Sequence, residues 1–353
     1  MQIFRCDECA SPVYFENDIC VTCGTHLAFL PERMEVGSLY PMEGGLWRSP
    51  RERTSPSGYR LCQNGVDHAL CNEAVPADSS SSLCRWCLFT EVIPDLSLPQ
   101  NLDRWRRLQL AQRRLLYALT RLELPLADRH DDPASGLAFR FLADTTSTVL
   151  TGHENGIITL NIAEADDAER EERREQMGER YRTLLGHFRH EVGHYYWDRI
   201  IRDGGRLDAF REHFGDERID YTEALERHYA AGPPMGWENQ HISPYAASHP
   251  WEDWAETWAH YLHMSAVLET ASSCGLSLRP SDVNRPSLEA TQLPDDPSES
   301  TFRTLIESWV PVTYAMNALN RSMGLQDAYP FVLSKPVEAK LRFIHRTIRA
   351  AAG

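Results

Sequence analysis

The chain has 353 residues, of which 42% are hydrophobic, and a formal net charge of -15. That length predicts one large domain with a small one, or two of medium size. The acidic balance argues against nucleic-acid binding, which needs clustered Lys and Arg, and no apolar run approaches the ~20 residues of a membrane span.

The opening residues Met1–Cys6 lack a charged segment followed by an apolar one. No secretory signal is therefore predicted, and the expected location is the cytoplasm. Eight of the nine cysteines lie in the first 87 residues. Cys6-x2-Cys9 and Cys20-x2-Cys23 form two pairs, and Cys62, Cys71 and the pair Cys84-x2-Cys87 form a second group. Without a secretory signal, this spacing reads as zinc ligation rather than disulfides, because two CxxC turns can close a tetrahedral site. A sequential arrangement is favoured: Cys6, Cys9, Cys20 and Cys23 on one zinc, and Cys62, Cys71, Cys84 and Cys87 on another. An interleaved pairing is the alternative. Cys274 stands alone and reads as a bystander thiol. The Pro-, Gly- and Ser-rich stretches around these cysteines predict short strands and turns stapled by metal.

Residues 1–96 are therefore expected to form a small zinc-ribbon domain and residues 97–353 a second domain. Within 1–100 there are 7 Arg, no Lys and 13 acidic residues, so a ribbon that binds nucleic acid is disfavoured. From Asn101, a plausible N-cap, Leu102, Trp105, Leu108, Leu115, Leu116 and Leu119 recur at helical steps. Between 137 and 163 the period switches to two, which predicts two or three strands, with 152–156 as a turn region. The strand near 157–162 is expected to align a substrate backbone by strand addition. A long charged helix is predicted from Asp166 through about Ile201, with a break near Gly178. Another helix is predicted over 206–230, a loop over 231–244, a helix from Pro250, and a Pro- and Ser-rich surface loop over 275–300. Two final helices are expected at about 299–323 and 336–351.

The run His190-Glu191-Val192-Gly193-His194 lies in the charged helix. Residues four apart share a helix face, so His190 and His194 can address one ion, while Glu191 sits beside it, placed to take a proton from water. Gly193 would let another backbone pack close beneath the metal. Asp198, four residues after His194, is a candidate brace for a ligand.

A catalytic zinc needs a third protein ligand and an open position. A continuation with Gly and His three and six residues after His194 is excluded, because Trp197 and Ile200 stand there. In the segment from Pro250, Trp251, Trp254, Ala255, Trp258 and Leu262 form a stripe expected to bury, with Glu252, Glu256, Ala259 and His263 along its rim. Two carboxylates beside a wall of tryptophans are costly unless paired or bound to metal. Glu252 or Glu256 is thus the candidate ligand, with the other free to hold a ligand histidine. His249 is the least implausible substitute.

The segment Tyr245-Ala-Ala-Ser-His-Pro-Trp-Glu252-Asp-Trp-Ala-Glu256, together with His190, Glu191 and His194, resembles the zinc region of the lethal-factor type of gluzincin. The resemblance implies that Glu252 is the ligand, that Glu256 supports a ligand histidine and that Tyr245 donates its hydroxyl to an oxyanion. Over the whole chain, the eight cysteines with HEVGHYYWDRI and PWEDWAETWAHYLH resemble a bacterial family of zinc-binding metallopeptidases with an N-terminal zinc-ribbon domain, whose peptidase activity is itself inferred.

The expected fold is thus α+β, mostly α, a zincin-like domain behind a zinc ribbon. The expected cofactors are one catalytic and two structural zinc ions, and the expected partner is a peptide or protein substrate. The competing expectation is a binding protein that docks a partner through its ribbon, with a structural or vestigial HExxH site.

Overall fold

The computed structural model describes residues 1–51, 57–144, 148–167, 169–170, 183–279, 288–289 and 299–352. The N-terminal part starts with a two-stranded ladder, β1 (Phe4–Arg5) and β2 (Pro12–Val13), whose connecting turn carries Cys6 and Cys9. A five-stranded antiparallel sheet follows in chain order: β3 (His26–Leu30), β4 (Glu35–Pro41), β5 (Trp47–Arg48), β6 (Tyr59–Leu61) and β7 (Ala74–Pro76). The short α1 (Gln63–His68) bridges β6 and β7.

Helix α2 (Pro99–Arg121) begins two residues before the predicted cap. Pro99 stands in its first turn, where a fixed φ suits the helix and no N–H is missed. Asn101 is inside that turn, its side-chain amide donating to the Asp95 carbonyl at 2.9 Å instead of capping.

A mixed sheet follows, in the order β10-β11-β9-β8. Strand β8 (Thr90–Val92) and strand β11 (Ile157–Asn161) flank β9 (Ala138–Leu142) in parallel, and β10 (Gly152–Glu154) adds antiparallel to β11. This corrects the expectation for 157–162. That strand is paired on both sides, and the edge next to it belongs to β10. The cause is a two-residue Asn155-Gly156 turn, with φ of 50° and 83°, which folds 152–154 back as a strand. A side chain at Gly156 would also meet the Gly136 carbonyl oxygen at 2.5 Å.

Helix α3 (Leu184–Tyr196) is capped by Thr183, whose hydroxyl accepts from the Gly186 amide at 3.0 Å, and it runs on into a π-helical turn over Trp197–Arg202. Most of the charged segment predicted to precede it, residues 168 and 171–182, lies outside the described residues. The single helix predicted over 206–230 is two: α4 (Leu207–Phe214) and α5 (Tyr221–Ala231). Gly215 ends the first at φ 96°, a conformation that favours glycine, and the Asp220 carboxylate caps the second.

Helix α6 (Pro250–Ser273) is capped by His249, whose Nδ1 accepts from the Trp251 amide at 3.1 Å. Within the predicted 275–300 loop, β12 (Ser277–Leu278) pairs with β13 (Leu288–Glu289); 280–287 and 290–298 lie outside the described residues. Helices α7 (Glu299–Ser322) and α8 (Lys335–Ala351) close the chain. No helix among the described residues is long and apolar enough to cross a membrane.

One continuous core joins the cysteine-rich part to the helices. Phe15 packs on Tyr117 of α2 at 5.3 Å between ring centroids, and Trp86 stacks on Phe29 at 4.9 Å. Deeper in, Phe188 and Tyr196 of α3 meet Phe139, Phe141 and Trp258, all fully buried.

Helices α3 and α6 touch at Gly193. A Cβ there would stand 3.1 Å from the Ala255 Cα and 3.2 Å from the Trp258 ring, and the Trp254 indole N–H donates to the Gly193 carbonyl at 2.8 Å. Gly193→Ala is expected to push the helices apart. The overpacking cost of about 1–3 kcal/mol opposes a helix-propensity gain of about 1 kcal/mol. Weakened zinc retention with a lowered melting temperature is the expected result; unchanged zinc affinity would show that the contact has slack.

Candidate metal centres

The structure brings the eight N-terminal cysteines into two groups, Cys6, Cys9, Cys20 and Cys23, and Cys62, Cys71, Cys84 and Cys87. Cys6 and Cys23 sulfurs are 3.6 Å apart, Cys9 and Cys20 3.7 Å, Cys62 and Cys87 3.7 Å, and Cys71 and Cys84 3.6 Å. Four thiolates at about 2.3 Å from a tetrahedral ion stand about 3.8 Å from one another, so both groups have the dimensions of a closed zinc site. All are free thiols, as is Cys274, which is exposed.

The second group is buried against α2. Arg113 of that helix is buried too, and although burial opposes its charge, Cys71, Glu73, Cys84 and Cys87 keep it protonated. It supplies positive charge where four thiolates and one divalent ion would leave a net negative site. Sequence reading did not single out Arg113 or Glu73, whose carboxyl is pushed up to about 8 by burial and the neighbouring Cys71 thiolate.

The third centre lies between α3 and α6. His190 and His194, one turn apart on α3, present their Nε2 atoms 3.1 Å from each other. Glu252, in the first turn of α6, places its Oε2 3.0 Å from His190 Nε2 and 3.5 Å from His194 Nε2. Ligands at about 2.0–2.2 Å from a tetrahedral ion stand about 3.3–3.6 Å apart, close to these values. Glu252 is 1% exposed, and its Oε2 has no hydrogen-bond donor among the described residues. A buried carboxylate oxygen left bare is costly, and a cation at this point removes the cost. The donor set therefore fits zinc.

The surrounding groups orient these three. Glu256, one turn after Glu252, accepts from His190 Nδ1 at 2.7 Å with one oxygen and from the Ser243 hydroxyl at 2.6 Å with the other. That arrangement leaves His190 Nε2 unprotonated when a metal is present. Burial disfavours charge on His190, but Glu252 and Glu256 raise its pKa well above the usual value. Glu252 stays well below the carboxylate range despite burial, through His194 and His190. The pocket is built to hold positive charge. The His194 ring lies on the Trp251 ring at 3.8 Å.

Glu191 is buried beside this cluster, and burial raises its carboxyl pKa. Tyr245 is close as well, with its ring 6.0 Å from that of His190. Asp198 accepts from Arg202 Nη1 at 2.6 Å, and among the described residues His194 Nδ1 has no hydrogen-bond partner. His249 is no substitute ligand, because one nitrogen caps α6 and the other donates to the Ile219 carbonyl at 3.2 Å. Tyr221 of α5, which sequence reading missed, donates to Glu252 Oε1 at 2.6 Å. It stands 31 positions from Glu252 with no periodicity to mark it.

A mostly helical α+β fold, cysteine knuckles at the N-terminus and a helix-borne His–His–Glu cluster together define a metallopeptidase-like protein with a zinc ribbon. The family described as "putative zinc-binding metallo-peptidase" matches residues 101–347, and the chain belongs to it; a zinc-ribbon domain family matches residues 3–98. The chain is 42% identical over 353 residues to proteins of Mycobacterium tuberculosis and Mycobacterium bovis that carry the name "uncharacterized protein", covering 100% of this chain and 96% of each relative. No solved structure matches it.

Proposed function

We propose that the protein is a zinc-dependent peptidase whose ion is held by His190, His194 and Glu252, with Glu191 as the general base. The observation that carries this reading is the convergence of the three ligand atoms around a bare, buried Glu252 oxygen, with Glu191 next to His190. Zinc bound there would supply a Lewis acid able to lower the pKa of a water from 15.7 to about 7. The Glu191 carboxylate would take a proton from an attacking water and later deliver it to the leaving amine nitrogen. The Tyr245 hydroxyl donates to the oxygen on which charge develops, a contribution of about 3–4 kcal/mol for a well-placed donor. Glu256 and Ser243 keep the His190 ring in one orientation. The free edge of β10, which packs against α3, offers backbone groups to an extended peptide.

Two further zinc ions are proposed for the cysteine groups, with residues 1–96 as the zinc-ribbon part and 97–353 as the peptidase part. The test is zinc stoichiometry by elemental analysis, with wild type beside a His190→Ala/His194→Ala variant, followed by a peptide-library screen. Three zinc ions per chain falling to two in the variant are expected, with cleavage only by wild type. Two in both proteins would remove the metal site and the peptidase reading with it.

A further inference from the structure

We infer that Tyr221 is a positioning residue for the metal site: its hydroxyl takes one oxygen of Glu252 and reserves the other for the ion. The inference rests on the ligand set proposed above. A carboxylate has two oxygens, and unless one is engaged it can rotate or bind an ion through both. Here the engagement is unequal. Oε1 accepts from Tyr221 at 2.6 Å, while Oε2 has no hydrogen-bond donor among the described residues and lies 3.0 Å and 3.5 Å from the two histidine Nε2 atoms. The bond to Tyr221 thus sets the torsion of the Glu252 side chain and fixes which oxygen faces the histidines.

Tyr221 is itself well placed to do this. It is the first residue of α5, directly after the Asp220 cap, and two residues before it the Ile219 carbonyl accepts from His249. Its ring packs edge-on against His249 at 5.2 Å and Trp251 at 5.7 Å, and Trp251 lies on His194. One aromatic column therefore links the phenol to a second ligand. The rest of α5 contributes little to the core: Ala224 is its one buried residue, and Tyr229 is exposed. Tyr221 is the residue of α5 that reaches Glu252, while His228, two turns on, packs edge-on against Tyr245 at 6.0 Å.

Loss of a hydrogen-bond partner to a metal ligand typically costs 10–100-fold in metal affinity. The experiment titrates full-length wild type, Tyr221→Phe and Asp220→Ala with a zinc chelator and counts the zinc retained. Tyr221→Phe is expected to release its third zinc at 10–100-fold lower chelator concentration while keeping the cysteine-bound pair. Asp220→Ala, which removes the helix cap but keeps the phenol, is expected to follow wild type. If wild type holds three zinc ions and the Tyr221→Phe curve superimposes on it, the inference is overturned and the metal site stands. If Asp220→Ala releases zinc as readily as Tyr221→Phe, anchoring of the helix rather than the hydroxyl is responsible, and the inference is again overturned. If wild type holds only two, the metal site itself fails.

Discussion

Glu191→Gln is expected to keep three zinc ions per chain and to lose about 10²–10⁴-fold in peptide hydrolysis, the range that a positioned acid–base group contributes. The substitution preserves shape and removes only the ability to take a proton. Glu191 is no zinc ligand in the proposed site; its neighbours His190 and His194 supply that function together with Glu252. Its burial leaves few waters to stand in for it, so the loss should fall on kcat. The measurement is steady-state cleavage of a library-derived peptide alongside zinc content. Full activity in a zinc-replete Glu191→Gln protein would place the proton acceptor elsewhere, and loss of zinc would mean that the residue supports the fold of the site rather than its chemistry.

Lys340→Ala is expected to cost about 3 kcal/mol of unfolding free energy, the lower end of the range for breaking a buried ion pair. Lys340 Nζ donates to Asp253 Oδ2 and to the Gln240 carbonyl, each at 2.6 Å, and its side chain is 8% exposed against 1% for Asp253. Removing the lysine strands a carboxylate inside the protein, and His241, 3.1 Å from the same oxygen, offsets part of the loss. Asp253 adjoins Glu252, so the pair also ties α8 to the turn that bears a proposed zinc ligand. Urea denaturation measures the effect, and Lys340→Met/Asp253→Asn should recover much of it. A midpoint unchanged by Lys340→Ala would show that this pair carries no net stability.

What could be read from the chain alone follows from how local each signal is. The CxxC pairs and the two histidines depend on spacings of three and four residues, and these were legible. The hydrophobic period located α2 and α6 for the same reason. The break at Gly215 was missed because Tyr221–Ala231 buries only Ala224 and so leaves almost no pattern. The edge role of β10 hid in the Asn155-Gly156 pair, a strong hairpin signal that was read as part of a longer turn. Tyr221, Arg113 and Lys340 act across long stretches of chain, through partners that no spacing rule connects. For Asp198 the spacing is ambiguous, because Arg202, the partner it pairs with, lies at the same interval of four on its other side from His194.

The packing of Phe15 and Phe29, backed by Trp86, onto Tyr117 has a consequence for anything the cysteine-rich part touches. A module on a tether can search for a ligand and deliver it at many angles. This one shares its interior with the helices and has no such freedom. Its outer surface and the His–His–Glu cluster are held at one separation, like the two ends of a ruler. A load placed on that surface is passed to α2, and through it to the helix that carries His190 and His194.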